Sequence, residues 1–125
     1  MGFYLKIITF LFIYQIFELA HSTDTHMVWY SNLQSYDIVK TRDVYISTKC
    51  AFDEGSCIAS ARLKNAKKYK LNGRDLSFGK RPDAVICKKS GGHYLNLKNK
   101  DELDLFCIYE DESLILGVNL LDASN

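Results

Sequence analysis

Apolar and polar residues alternate in three segments near the end of the chain, at residues 93–97, 103–109 and 113–118. A period of two residues is typical of a β-strand with one buried face. Polar turns at residues 99–101 and 110–112 separate the segments. The pattern therefore predicts a three-stranded antiparallel meander.

A short helix is predicted directly before the meander. Pro82 suits the first turn of a helix, where its missing N–H costs nothing, and Asp83 favours the same end of the helix dipole. Residues 84–87 form an apolar turn, and Lys88 and Lys89 suit the C-terminal end. A glycine pair then ends the helix, so the pattern predicts a helix packed on the meander.

The N-terminal half shows a weaker pattern. Residues 26–31 and 43–48 are rich in aromatic and β-branched side chains, which is typical of short strands. Ser56 is a suitable N-cap for a helix over residues 57–71, although a strand through residues 57–63 also fits the alternation. The predicted fold is a small disulfide-stapled α+β domain, in which these elements form an N-terminal strand/helix extension to the helix and meander.

The first 22 residues have the features of a signal peptide. Lys6 provides the positive charge, residues 7–17 are mostly apolar, and Ala20 and Ser22 place small residues before a cut at Thr23. The apolar run is shorter than the ~20 residues of a membrane-spanning helix, which disfavours an uncleaved anchor. We expect a periplasmic or secreted protein in which residues 23–125 form one domain without a transmembrane segment.

Four cysteines follow the predicted leader, at positions 50, 57, 87 and 107. An even number of cysteines in a small exported chain indicates a disulfide framework, because the compartment is oxidising. Cys50 and Cys57 are close enough in sequence to pair, although four cysteines allow three pairings.

The charge distribution is uneven, although the whole chain has a formal net charge of +1. Residues 62–100 contain twelve Lys and Arg against two acids, and residues 101–125 contain seven acids and no base. Lys67, Lys68, Lys88 and Lys89 are therefore candidate binding residues for an anionic partner. The alternative is that the two blocks lie side by side and partly cancel. Because the basic block lacks interleaved aromatic residues, we expect no nucleic-acid partner.

Residues 79–120 resemble a short exported bacterial domain of unknown function that usually carries a hemolysin label. The resemblance rests on structural positions: Pro82, Ala84, Cys87, Gly91, Gly92, Cys107, Asp111 and Ser113. Arg81 and Glu112 depart from the asparagine and glycine that are usual in that family, and its late tryptophan is absent. The helix-to-strand cysteine spacing of the family implies a Cys87–Cys107 disulfide. The resemblance implies no enzymatic chemistry.

Candidate catalytic chemistry is limited to Ser90 and His93, which flank the glycine pair. A serine nucleophile needs a base within reach and a third group that orients the base. The cysteines and histidines lack the close spacing of a zinc site, so we expect no metal and no cofactor.

The leading hypothesis is a monomeric, non-enzymatic binding or inhibitor-like module for an unknown protein or an anionic envelope component. Alternatives are an envelope structural or adhesion protein that acts through its charge asymmetry and, more remotely, a small hydrolase that uses Ser90 and His93.

Overall fold

The computed structural model describes residues 24–52 and 56–125. The predicted leader and its cleavage position lie outside these ranges. Residues 53–55, in the acidic segment between the first two cysteines, also lie outside them.

The described strands form a closed antiparallel barrel in the order β1-β2-β3-β6-β5-β4. Their bounds are Thr25–Tyr30 (β1), Ser35–Thr41 (β2), Val44–Ser47 (β3), His93–Asn99 (β4), Glu102–Ile108 (β5) and Leu114–Leu116 (β6). Strands β1–β3 make one three-stranded meander, and β4–β6 make the other. The pairs Ile46–Ile115 and Tyr30–Lys98 join the two meanders and close the barrel.

Two-residue turns fix the registers of the β2–β3 and β4–β5 hairpins. Arg42 and Asp43 connect β2 to β3, and both have positive φ, of 50° and 66°. Positive φ at both central residues matches the right-handed twist of the flanking strands. The second hairpin, between β4 and β5, pairs all seven residues of each strand.

The helices pack on the outside of the barrel. They are α1 (Thr48–Phe52), α2 (Ile58–Lys64), α3 (Pro82–Lys89) and α4 (Gly117–Ser124), and 3-10 turns lie at Ala66–Tyr69 and Ser77–Gly79. Helices α1–α3 belong to the connection between β3 and β4, whereas α4 follows β6 and packs against α3.

Two apolar clusters lie on opposite faces of the strands. The cluster inside the barrel contains Trp29, Ile38 and Phe106, and the outer cluster beneath the helices contains Val39 and Cys107. Because successive strand residues point to opposite faces, neighbours such as Ile38 and Val39 enter different clusters. A strand buried on both faces loses its apolar–polar alternation.

Both expected disulfides are present. Cys50 pairs with Cys57 and links the start of the connection to α2, and Cys87 pairs with Cys107 and links α3 to β5. All four cysteines are buried. The predicted attachment of the helix to the sheet is confirmed.

The predicted α+β class agrees with the structure, but the arrangement of the strands was wrong. The meander at residues 93–118 is one half of a closed barrel, and the supposed N-terminal extension supplies the other half. Strand β2 was not predicted. The segment assigned to the third strand of the meander ends as a strand at Leu116, and Gly117 begins α4.

The predicted helix at residues 57–71 was also wrong in its extent. The α-helix ends at Lys64, and a 3-10 turn follows after Asn65. The N-cap is Cys57 rather than Ser56, because the Cys57 Sγ accepts a hydrogen bond from the Ser60 amide at 3.3 Å.

Candidate functional site: a basic groove and an exposed phenylalanine beside α3

Helix α3 begins with a tightly bonded pair of side chains. The Arg81 Nε and one terminal nitrogen donate to the two carboxylate oxygens of Asp83, at 3.2 and 2.8 Å. The Ala84 amide also donates to this carboxylate, at 3.0 Å. Asp83 is buried and Pro82 occupies the first turn, so the conformation of the helix start is fixed locally.

A groove runs between α3 and the outer faces of β4 and β5, with a volume of about 380 Å³. We call it the α3 groove. Its lining residues are Lys80, Arg81, Ala84, Val85, Lys88, Tyr94, Asn96 and Leu105. Ile86 and Cys87 point from the same helix into the protein, so the groove side is the opposite face of α3.

The rim of the groove is positively charged. Arg81 is paired with Asp83, whereas Lys80 and Lys88 make no ion pair with any described residue. The Lys88 Nζ lies 5.5 Å from the centre of the Tyr94 ring, a cation–π contact that positions the ammonium group over the groove. Since no carboxylate is among the lining residues, the groove combines an apolar floor with an anion-attracting rim.

Residues 72–81, which we call the Phe78 loop, lead into this groove. The Asn72 side-chain oxygen accepts from the amides of Arg74 and Asp75, at 3.0 and 3.1 Å. The Asp75 carboxylate accepts from the Asn72 amide at 2.8 Å and from the Lys89 ammonium at 2.9 Å. These two interactions hold the pKa of Asp75 below its ordinary value. The base of the loop is therefore well ordered by hydrogen bonds.

The tip of the loop presents an aromatic side chain to solvent. Phe78 is 98% exposed, and Leu76 beside it is about half exposed. The backbone of Phe78 has φ of 63°, a left-handed conformation that is unusual for an aromatic residue and costs on the order of 1–3 kcal/mol. Strained backbone of this kind is found preferentially at ligand-binding and active sites, which makes the loop a candidate recognition element.

The four lysines named from the sequence have different positions. Lys67 and Lys68 are exposed on a 3-10 turn. Lys88 lines the α3 groove, whereas Lys89 donates to the Lys70 carbonyl as well as to Asp75 and anchors the loop. Of the four, the groove therefore includes Lys88 alone.

Ser90 and His93 are not brought together as a catalytic pair. The buried Ser90 hydroxyl donates to the Cys87 carbonyl at 2.9 Å and lies 2.8 Å from the Tyr109 hydroxyl. Burial raises the pKa of Tyr109. The Arg62 Nε donates to the Ser90 carbonyl at 2.8 Å, and His93 is exposed, with no hydrogen bond to Ser90. Ser90 thus ends α3 and connects it to Tyr109, directly after β5.

Asp111 in the acidic C-terminal block has a structural role. Its carboxylate accepts from the amides of Ile58 and Ser113 at 2.9 and 3.0 Å, and the Ser113 hydroxyl accepts from the Ala59 amide at 2.9 Å. The turn after β5 thereby caps α2. No ion pair between described residues joins the basic block to the acidic block.

The sequence did not indicate several residues of this site. Lys80, Tyr94 and Leu105 converge only when α3 packs on β4 and β5. Phe78 is an isolated aromatic residue beside Gly79 in a polar segment. A glycine among polar residues is typical of an exposed turn, and this was the one sequence signal for the position of Phe78.

Within residues 24–52 and 56–125, no group of three or more His, Cys, Asp or Glu side chains is placed to hold a metal ion. In the same ranges, no helix has the length and apolar character needed to cross a membrane. No protein-family model, curated protein or solved structure matches the chain.

Proposed function

We propose that this chain is an exported bacterial binding or inhibitor-like module, without enzymatic activity, that docks on a partner protein in the periplasm or outside the cell. The Phe78 loop is the main recognition element, and the α3 groove extends the same surface. The observation that carries the proposal is the 98% exposure of Phe78 in a left-handed backbone conformation.

An exposed phenylalanine is a strong potential anchor for binding. Full burial of such a side chain in a partner's pocket contributes about 1.5–3 kcal/mol. The hydrogen bonds around Asn72 and Asp75 already order the base of the loop, so binding loses less conformational entropy. Both features favour a loop that inserts into a pocket.

The surroundings of the loop favour an acidic partner surface. Lys80 and Arg81 follow Phe78 closely and also line the α3 groove. Positive charges beside an apolar anchor accelerate association with a negatively charged surface and disfavour other partners. The two disulfides support the exported location, since such bonds persist in oxidising compartments.

The proposal is tested by comparative capture with the disulfide-intact protein and two variants. Phe78→Ser removes the anchor, and Leu33→Ser is the matched control, because Leu33 is 97% exposed on the turn between β1 and β2. Proteins from envelope and culture fractions are captured, and the recovered partner is titrated by calorimetry. We expect Phe78→Ser to weaken binding at least about tenfold, in keeping with an interface hot spot, and Leu33→Ser to have no effect. Equal affinities of all three proteins would contradict the proposal.

Adhesion through the charge asymmetry is the second candidate function. It is supported by the exposed Lys67 and Lys68 and by the absence of ion pairs between the two charge blocks among the described residues. In that case Lys67→Gln/Lys68→Gln would weaken binding to anionic envelope material, and rising salt would do the same. Phe78→Ser would leave such binding unchanged.

A further inference from the structure

We infer that the α3 groove binds a short acidic segment of the partner, with one apolar side chain of that segment in the groove and its carboxylates beside Lys80 and Lys88. The inference rests on the proposed function and specifies what the partner presents. The observations that support it are the shape and the charges of the α3 groove, and none of them involves Phe78.

The shape of the groove suits one or two apolar side chains. Its floor is formed by Ala84 and Val85 of α3 and Leu105 of β5, and its volume is about 380 Å³. Ligand sites commonly have volumes of about 300–1,000 Å³ and apolar linings. The groove is open at the surface, so an extended segment can pass along it.

The charges of the groove select an acidic occupant. Lys80 and Lys88 have no ion-pair partner among the described residues, and the Tyr94 ring orients the Lys88 ammonium group. A second copy that docked through this same face would bring the same cations to the interface, and like charges disfavour that contact. A polyanion without apolar groups would leave the groove floor exposed to water. An acidic segment with a leucine or phenylalanine would cover the apolar floor and place carboxylates beside the positively charged rim.

A polar group is available for the backbone of such a segment. The Asn96 carboxamide lines the groove and makes no hydrogen bond to another described residue. A carboxamide both donates and accepts, so it matches the N–H and C=O groups of a peptide. Asn96 therefore provides a contact that does not depend on the side chains of the bound segment.

The test uses the full disulfide-intact chain and the fluorescein-labelled peptide Gly-Glu-Glu-Leu-Glu-Glu-Gly. Binding is followed by fluorescence anisotropy, and folding of each variant is checked by thermal melting. We expect saturable binding that weakens at least about tenfold when the central leucine of the peptide is replaced by glycine. We expect the same loss with Ala84→Leu, which fills the groove and retains a good helix former.

The charge contribution is tested separately on the protein surface. Lys80→Gln/Lys88→Gln should weaken peptide binding at least about tenfold without a change in melting, since both side chains are exposed. The matched control, Lys67→Gln/Lys68→Gln, removes the same charge away from the groove and should change binding less than about twofold.

Several results would overturn the inference. Equal losses from the two lysine pairs would show non-specific attraction to the basic block. Binding that is unchanged by Ala84→Leu, or by removal of the peptide's leucine, would exclude the groove. A dimer in sedimentation analysis that disappears with Ala84→Leu would identify a second copy as the occupant. Anionic phospholipid vesicles that bind with the same dependence on Ala84, in place of the peptide, would identify a lipid surface. If the peptide does not bind while binding of the captured partner protein is still weakened by Phe78→Ser, the inference is wrong and the proposed function stands.

Discussion

The outer surface of the barrel has two contrasting walls. On the helix-covered wall, the outward side chains of β2 and β6, such as Val39 and Ile115, pack beneath the helices and are almost fully buried. On the bare wall, the outward side chains of β1, Val28 and Tyr30, are 36% and 54% exposed. Both walls use the same strand geometry, so the difference comes from the helices: α1–α3, which the connection between β3 and β4 supplies, and α4, which follows β6. The connection between β3 and β4 also supplies the Phe78 loop and one side of the groove, which places the candidate site on the helix-covered wall.

The largest expected effect is the loss of the disulfide that fixes α3 to the helix-covered wall. Replacing Cys87 and Cys107 together by alanine should lower the free energy of unfolding by about 3 kcal/mol. The double alanine variant of Cys50 and Cys57 should lose about 1 kcal/mol less, because the sequence separation of its bridge is 7 residues rather than 20. Denaturant titrations of the two double variants measure this difference, and equal losses would contradict it.

A single methyl group should disturb the same wall. A Cβ at Gly92 would lie 2.5 Å from the Cys107 Sγ and 3.1 Å from the Ile108 carbonyl oxygen, neither of which moves easily. Gly92→Ala should therefore cost about 1–3 kcal/mol of stability. Gly73→Ala is the control, because no atom lies within 4 Å of the added carbon. Equal melting temperatures of the Gly92 and Gly73 variants would show that the wall is loosely packed.

The cap of α2 predicts a pH-dependent effect. Burial tends to raise the pKa of Asp111, but the hydrogen bonds from Ser113 and the Ile58 amide outweigh burial and hold the pKa below its ordinary value. The stabilisation is therefore present above the ordinary carboxyl pKa and is lost as the pH falls through the lowered value. Asp111→Asn should cost about 1–2 kcal/mol at neutral pH and progressively less below about pH 4.

Stability measured from pH 7 down to pH 2 tests this prediction. Glu110→Gln is the control, because Glu110 is exposed on the same turn and makes none of these hydrogen bonds. A deficit of Asp111→Asn that is constant over the whole pH range would exclude the capping carboxylate as its cause.

The smallest expected effect is on the bare wall. Val28→Thr should change stability by no more than about 0.5 kcal/mol, because the side chain is partly in water. The same substitution at Val39, which is buried under the helices, places a hydroxyl group in the outer cluster and should cost about 1–3 kcal/mol. Similar losses at the two positions would show that the walls do not differ in packing.

The sequence predicted elements that follow from local patterns and missed those that depend on distant partners. Pro82 and the glycine pair mark the ends of α3 without tertiary information, and the alternation after Gly92 marks β4 and β5. Barrel closure depends on Ile46 and Ile115, which are distant in sequence. Their pairing leaves no local signal.

The candidate site was predictable only in part, for the same reason. The charge pattern predicted both Lys88 and Lys89 as binding residues. Lys88 lines the groove, whereas Lys89 binds Asp75 and anchors the Phe78 loop. Tyr94 follows the alternation of β4, yet the sequence does not reveal that α3 lies beside its ring. The left-handed backbone of Phe78 is likewise a property of the folded loop.

The most direct test of the account is a hydrogen–deuterium exchange footprint of the protein with its captured partner. We expect slower exchange in the complex at residues 76–89 and 94–96, which contain the Phe78 loop, α3 and the β4 side of the groove, and unchanged exchange at residues 25–30 of the bare wall. Protection of residues 25–30 with no change at residues 76–89 would contradict the assignment of recognition to the helix-covered wall.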